Sequence, residues 1–405
     1  MQRLKSIFRV SLLVIFISLT CSPAHAQSDS TILKSMDAVR ISLLTCGPGP
    51  QIYSLYGHTA IRFQDIGRDQ DLVVNYGMFS FRQKYFILRF VFGLTDYEMG
   101  IVPFMDFIAE YAAQGRWVVQ QTVNLSREEK LAITQAIDEN YQPANRVYRY
   151  NYFYDNCTTR ARDMITDHID GSVLYEENRM VTTSYRGMIH QWNAGHPWAR
   201  LGNDLLLGVK ADKKTDNKAQ QFLPDSLRKD FDHAVIINKD GSRRQLVTDT
   251  SWLLQPSKQP EVKEFILSPM QCVLALLIVT LFVIGAERFT KRILWGFDLL
   301  LLLLDGASGL ILTAMIFSQH PTVSLNTQIL LFTPLSLIFL FPVVRSLRYH
   351  RFHPYLKLWA ALTASFLLLY PLQHYEATVG ILALILLIRI SSLRIACTKS
   401  SHRHE

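Results

Sequence analysis

The chain runs to 405 residues, 49% of them hydrophobic and 19% charged, with a formal net charge of +8. That excess sits outside the polar part: residues 267–405 hold eleven Lys and Arg against five Asp and Glu, and Arg3, Lys5 and Arg9 add three more, which leaves residues 27–266 at −1. A nucleic-acid binder needs a basic face on its folded domain, so nucleic acid is excluded as a partner, whereas a stretch of about 240 residues is ample for one domain with a sizeable core.

The first element is a targeting segment. Arg3, Lys5 and Arg9 precede the apolar run Val10–Leu19, and Ala24-His-Ala26 forms a small-x-small cleavage site. Residues 1–26 therefore read as a cleaved secretory signal. Cys21 goes with it, because Ser18-Leu-Thr20 lacks the small residue wanted before a lipoprotein cysteine.

Residues 27–266 have an α+β pattern. Strand-like runs occur at Ala38–Leu44, His58–Phe63, Leu72–Phe81 and Trp117–Leu125. Between Phe81 and Tyr97 an aromatic-rich segment carries Tyr85, Phe86, Phe90 and Phe92 beside Lys84 and Arg89. It reads either as a wall that meets lipid at the interface or, more commonly for such a pattern, as an ordinary core helix. Ser126-Arg-Glu-Glu129 is a capping box and starts a helix to about Asn140. Arg146–Tyr154 is strand-like again, and it breaks at Asp155-Asn156, two residues that cap helices well. The helix that follows runs to near Gly171, and Cys157, Ala161, Met164, Ile165, His168 and Ile169 fall on its buried stripe.

Cys157 thus stands in the first turn of a helix, where unpaired N–H groups and the positive dipole end favour thiolate over thiol. The best base for it is His58, which follows Gly57 and opens a strand. Within this pair alone, the bland alternative is a small core residue and a satisfied core imidazole. A second alternative comes from counting: once the signal is removed, the extracytoplasmic part contains only Cys46 and Cys157, and two cysteines in an oxidising compartment invite a disulfide. No metal site is expected, since no His-Glu-x-x-His run or Cys-x-x-Cys pair occurs and the twelve histidines are scattered; no Gly-rich phosphate loop is present and no cofactor is implied.

Residues 267–405 read as an all-α bundle of five transmembrane helices: Pro269–Ala286, Ile293–Phe317, Thr327–Val344, Leu356–Tyr370 and Ala377–Ile390. The last two are short, and Lys357 and Arg389 are expected to lengthen them by snorkelling. Arg288, Lys291 and Arg292 lie in the first loop, Arg345, Arg348, Arg351 and Lys357 in or beside the third, and Arg389, Arg394, Lys399 and Arg403 at the tail. Loops Ser318–Asn326 and Pro371–Glu376 carry no Lys or Arg. The positive-inside rule then puts the Cys157 domain outside the inner membrane and the C-terminus in the cytosol. Asp298 and Asp305 share one face of the second span; such acids usually face a bundle interior or a wet cavity, although Asp298 also suits the cytoplasmic interface.

Taken together, Thr45-Cys-Gly-Pro-Gly-Pro50, Tyr56-Gly-His-Thr-Ala-Ile-Arg62, Asn75-Tyr-Gly77, Asp155-Asn-Cys-Thr-Thr-Arg160, Arg162-Asp163, Trp198, Gly202-Asn-Asp-Leu-Leu-Leu-Gly208 and Phe222-Leu-Pro224 resemble the Lnb family, and so do Ser318-Gln-His-Pro321, Asn326 and Pro334 in the membrane part. These are lipoprotein N-acyltransferases with a periplasmic NlpC-like domain joined to a multi-span membrane domain. The order of histidine before cysteine is also similar to circularly permuted papain-like hydrolases. What the resemblance implies is transfer of an acyl chain from a membrane phospholipid to Cys157, with His58 as base, and then to the α-amine of a diacylated lipoprotein. Amides around Cys157 and Thr158 are expected to stabilise the oxyanion.

Supporting roles are assigned by position. Asn75, a lone amide in an apolar strand, is the candidate for holding the imidazole, against a turn or edge amide. Arg160, one turn beyond Cys157, is a candidate to lower the thiol pKa or hold a phosphate, against a surface ion pair to Asp163 or Asp167. His320 and Asn326, in an outer loop, are candidates to orient substrate, against loop capping. Trp192 and Trp198 are interface anchors or core. Two other functions stay open at this stage: a membrane-anchored thiol peptidase or amidase acting on cell-wall peptides, and a non-enzymatic scaffold with Cys46 bonded to Cys157.

Overall fold

A computed structural model describes residues 30–80, 82, 84–176, 183–260 and 265–401; the expected signal, 1–26, and Arg403 lie outside the described residues. Among the described residues ten strands form two antiparallel sheets: β1 (Val39–Cys46), β2 (His58–Asp65), β3 (Gln70–Met78), β4 (Asp96–Pro103), β5 (Val118–Val123), β6 (Val147–Arg149), β7 (Gly171–Leu174), β8 (Val235–Asn238), β9 (Arg243–Gln245) and β10 (Val247–Leu254). The large sheet has the order β10-β5-β1-β2-β3-β4-β6 and the small one β7-β8-β9. Helices α1 (Phe86–Val91), α2 (Phe104–Ala113), α3 (Arg127–Tyr141), α4 (Cys157–Thr166), α5 (Tyr185–Trp192), α6 (Pro197–Leu206), α7 (Asn217–Gln220) and α8 (Pro224–His233) complete the polar part.

β1 lies near the middle of the large sheet, and its period-2 alternation feeds two cores. Val39, Ile41 and Leu43 meet Ile133 of α3, Ala161 and Ile165 of α4, and Leu227 and Phe231 of α8. On the opposite face Leu44 and Cys46 meet Phe107 and Tyr111 of α2. The capping box expected at Ser126 is present, with Ser126 Oγ accepting from Glu129 N and Glu129 Oε2 accepting from Ser126 N. Strands β4 and β7 to β10 have no counterpart in the sequence reading. The large sheet ends at β10 and at the three-residue β6 beside β4, and strands there need no continuous apolar face to be held.

In the membrane part, α9 (Pro269–Thr290), α10 (Trp295–Ile316) and α14 (Ala377–Ser401) are long and apolar enough to cross a bilayer. The expected third span is instead broken: α11 (Leu335–Ile338) and α12 (Leu340–Arg348) form part of a pair bent by 73°. Pro334 and Pro342 lie in this stretch and remove backbone donors from it. The expected fourth span is a 15-residue apolar helix, α13 (Pro354–Leu368). Among the described residues the membrane part thus holds three full-length apolar helices, one bent pair and one shorter apolar helix. The broken segment lies directly on α10, where Gly306 and Gly309 leave room: a Cβ at Gly309 would overlap the Thr333 carbonyl carbon, and one at Gly306 would come within 2.7 Å of Leu337 N.

Arg389 does not snorkel. It is 1% exposed and bound to two acids at once, donating to Glu287 at 2.6 and 2.8 Å and to Asp298 at 2.7 and 2.8 Å, which ties α14 to α9 and α10. Asp298 therefore faces the bundle. Asp305 does too, accepting from Ser336 Oγ at 2.5 Å, while Ser336 Oγ lies 2.6 Å from Tyr355 Oη. With helix α14 25 residues long, it spans without help from flanking cations.

The polar domain is joined to the outer loops of the bundle. Asn326 Nδ2 and Gln328 Nε2 donate to Leu205 O and Asp204 O at 2.8 and 2.6 Å, and Gln373 Nε2 donates to Leu207 O at 3.0 Å. Gly208 N donates to Thr322 O, and a Cβ at Gly208 would overlap Leu325 O. Both loops that lack Lys and Arg thus contact the polar domain, which is the side on which the charge pattern puts them.

Candidate active site

Gly57 takes a left-handed φ of 81° and a Cβ there would meet Cys46 O at 2.6 Å, so glycine alone closes the turn into β2. His58 then opens β2 opposite Cys46. On β3, Asn75 pairs with Ala60, two residues along from His58, and its Oδ1 lies 3.0 Å from His58 Nε2. An amide oxygen only accepts, so Nε2 carries the proton in the neutral ring. Nδ1 is left as the acceptor for the thiol.

Cys157 is the first residue of α4, and the cap that starts the helix is unusually complete. Asn156 Oδ1 accepts from Thr158 N and Thr159 N, both at 2.9 Å, while Thr159 Oγ1 accepts from Asn156 N at 2.9 Å. Asn156 Nδ2 donates to Tyr152 O and Phe222 O at 2.8 Å, so the cap is itself anchored. Thr158 Oγ1 lies 3.1 Å from Thr59 Oγ1 and pins the helix start to β2. One expectation fails here: the Thr158 amide is bound to the cap and is not offered to an oxyanion. The Cys157 N–H, at the first helical position, has no intrahelical acceptor and remains for that role.

Burial pushes the Cys157 thiol up, but the charge and hydrogen bond of His58, the Thr59 N–H and the Thr158 hydroxyl outweigh it and bring it down to about 7. For His58 burial acts downward, and the Cys157 charge, the Cys157 hydrogen bond and the Asn75 hydrogen bond together leave it raised. Opposite shifts in two touching groups favour the thiolate–imidazolium pair. Cys46 contrasts with this. Its thiol is free like that of Cys157, so no bridge joins them, and burial pushes it up to about 12.

Arg160 is committed elsewhere. It donates to both Asp155 oxygens, at 2.5 and 2.8 Å, and its guanidinium lies 3.4 Å over the Tyr148 ring; Asp163 pairs with Arg162 instead. His320 sits by Phe90 at 6.2 Å between ring centroids, its pKa lowered by burial and partly restored by the Phe90 backbone. Asn326 is buried in the joint, where it donates to Leu205 O and accepts from Gln328 N and Gln373 Nε2. Trp192 packs on the cluster around Tyr56 and Phe222, and Trp198 Nε1 donates to Leu267 O where the chain enters α9. The sequence reading missed Thr59 and the hydroxyl of Thr158, whose amide alone it had named. Their adjacency to His58 and Cys157 was the available signal, but a β-branched polar residue beside each is ordinary until the fold brings the two together.

Among the described residues one His/Asp/Glu group, His190, Asp204 and Glu376, has ligand atoms within 4.8 Å of one another. Cations already fill it: Arg186 donates to Asp204 at 2.7 Å and Arg200 pairs with Glu376, so the group reads as an ion-pair joint and not as a metal centre. A cavity of about 300 Å³ between Pro48, Leu55, Trp192 and His196 includes none of Cys157, His58 or Asn75 in its walls. The structure thus brings Cys157, His58 and Asn75 together, a thiol, an imidazole and an amide in an arrangement capable of acyl transfer.

Among curated proteins and solved structures nothing matches the chain. Two family models do: the Lnb N-terminal periplasmic domain over residues 30–191 and the Lnb transmembrane domain over residues 260–401. Between them they cover Cys157, His58, Asn75 and the bundle, with residues 192–259 outside both, and they describe one architecture, a periplasmic domain joined to membrane helices. The chain belongs to the Lnb family, which points to a membrane-anchored enzyme of the lipoprotein N-acyltransferase type.

Proposed function

We propose that the protein transfers an acyl chain from a phospholipid to the α-amine of the N-terminal diacylglyceryl-cysteine of a lipoprotein, through a thioester on Cys157. The reading also takes the polar domain as a permuted papain-like one, on the order of a histidine strand before a cysteine helix. His58 Nδ1 holds the thiol proton while the sulfur attacks the ester carbonyl carbon of the donor. The tetrahedral oxyanion forms against the Cys157 N–H, and an oxyanion donor of this kind is worth about 3–4 kcal/mol. The bond from carbonyl carbon to glycerol oxygen breaks, His58 returns its proton to that oxygen, and lysophospholipid leaves. The lipoprotein amine then attacks the thioester, the C–S bond breaks, and the amine's proton passes through His58 back to sulfur. One phospholipid and one diacylated lipoprotein thus give one lysophospholipid and one triacylated lipoprotein.

The observation that supports this most is the pairing of a thiol brought down to about 7 with a raised imidazole, in a domain bonded to the outer loops of a membrane bundle. Both substrates are lipids of the outer leaflet, so an enzyme seated there need not extract them. The test supplies purified protein with phospholipid vesicles and a synthetic diacyl lipopeptide. Equimolar lysophospholipid and N-acylated lipopeptide are expected, both lost in Cys157→Ala; if neither forms, or if Cys157→Ala leaves N-acylation unchanged, the proposal is wrong.

A further inference from the structure

Helix α1 has no buried residue, contrary to the core-helix reading of its aromatic pattern. Ile87, Leu88 and Phe90 are 76%, 58% and 44% exposed. Yet this apolar face is not remote from the bilayer. Gln319 N donates to Phe92 O, and a Cβ at Gly93 would lie 3.1 Å from His320 N, so α1 is fastened to the loop that leaves the outer end of α10. From there a run of rings leads inward. Phe90 and Phe86 stack at 6.2 Å between centroids, Phe86 and Phe79 at 6.1 Å, Phe79 meets Tyr97 at 5.2 Å, and Tyr97 stacks on Tyr150 at 4.6 Å. Tyr150 ends the run beside the nucleophile: a Cβ on Gly77 would be 3.0 Å from the Tyr150 ring and 3.9 Å from Cys157 Cβ. None of these five rings is fully buried.

We propose that this run is the track of the donor acyl chain, with α1 as the lip that receives it from the outer leaflet and the Tyr150–Gly77 end as the place where the ester carbonyl reaches Cys157. This deepens, and rests on, the phospholipid-donor reading above. The physical argument has three parts. An exposed apolar face of this kind marks a contact with lipid or a partner, and its attachment to the outer loop selects lipid. Rings give a chain apolar contact without requiring a fixed register, so chains of several lengths are accepted. Gly77, at φ 83°, keeps the floor beside the sulfur free of a side chain.

The experiment measures how fast acyl-Cys157 accumulates, by intact mass, when full-length protein meets phosphatidylethanolamine vesicles without an acceptor. Wild type is compared with the double variant Ile87→Asp, Leu88→Asp and with Ile66→Asp, an equally exposed site on the β2–β3 turn, at the opposite end of β2 from His58. The iodoacetamide rate at Cys157 reports whether the dyad is intact. The track predicts at least a tenfold slower acylation for the α1 variant alone, with its alkylation rate kept. Wild-type acylation by the α1 variant, or an equal loss in Ile66→Asp, overturns the track and leaves the thioester reading standing. If wild type itself accumulates no adduct, the donor reading falls and the track falls with it. Should the double variant lose alkylation, Phe90→Ser, a milder change to the same face, decides by the same criteria.

Discussion

At Cys157 three influences compete, and their balance sets what the residue can do. Burial alone would make it as inert as Cys46, which sits on the strand next to His58 and is pushed up to about 12. The difference is the imidazole and the hydrogen bonds from Thr59 and Thr158. The sign follows directly: a thiol near 7 becomes thiolate as pH rises through neutrality, so alkylation of Cys157 by iodoacetamide should rise with a midpoint near pH 7. His58→Ala removes the two largest lowering influences and leaves only the Thr59 and Thr158 hydrogen bonds against burial, the largest single cause, which carries the thiol to at least its ordinary value. At pH 7 the thiolate fraction, and with it the alkylation rate, should fall by about fifty-fold or more. An unchanged midpoint in His58→Ala would mean that the imidazole does not set the thiol. Much of this was legible in the sequence, because Asn156 caps the helix and Gly57 turns into the strand by local rules. The Arg160 to Asp155 pair was not, since a cation five residues from an acid has several acids in reach along a helix start.

Helices and strands were legible in proportion to how local their causes are. The capping box at Ser126, the strands β1 to β3 and the apolar lengths of α9 and α10 follow from neighbours in sequence. β4 and β10 do not, because their place in the sheet comes from partners far along the chain. Arg389 shows the same limit in the membrane, for its two carboxylates lie about a hundred residues away and only the packing of α14 against α9 and α10 reveals them. Removing one partner of such a buried set leaves unneutralised charge and typically costs about 3–5 kcal/mol. Arg389→Met should therefore lower the thermal midpoint of the detergent-solubilised protein by several degrees. The triple variant Arg389→Met, Glu287→Gln, Asp298→Asn should recover much of it. Equal destabilisation by both would mean that the ion set is not what joins these helices.

For the whole molecule, the consequence is where the dyad is held. Asn326, Gln328 and Gln373 reach from the outer loops to the carbonyls of α6 and the residues after it, and Arg200 of α6 pairs with Glu376 at the head of α14. The polar domain is thus set against the outer loops by side-chain amides that donate to its backbone carbonyls, and in the proposed reaction a lipid ester has only to rise from the leaflet to meet the sulfur. This also explains why Asn326, expected near substrate, serves position: a buried amide whose nitrogen and oxygen are both held by the protein is a fastening. The most direct test of the account is the covalent intermediate itself. Full-length protein incubated with phospholipid and no acceptor should gain the mass of one acyl chain at Cys157, released by neutral hydroxylamine, and the adduct should disappear when diacyl lipopeptide is added. Absence of the adduct in wild type, or its persistence in Cys157→Ser as a hydroxylamine-labile species, would contradict it.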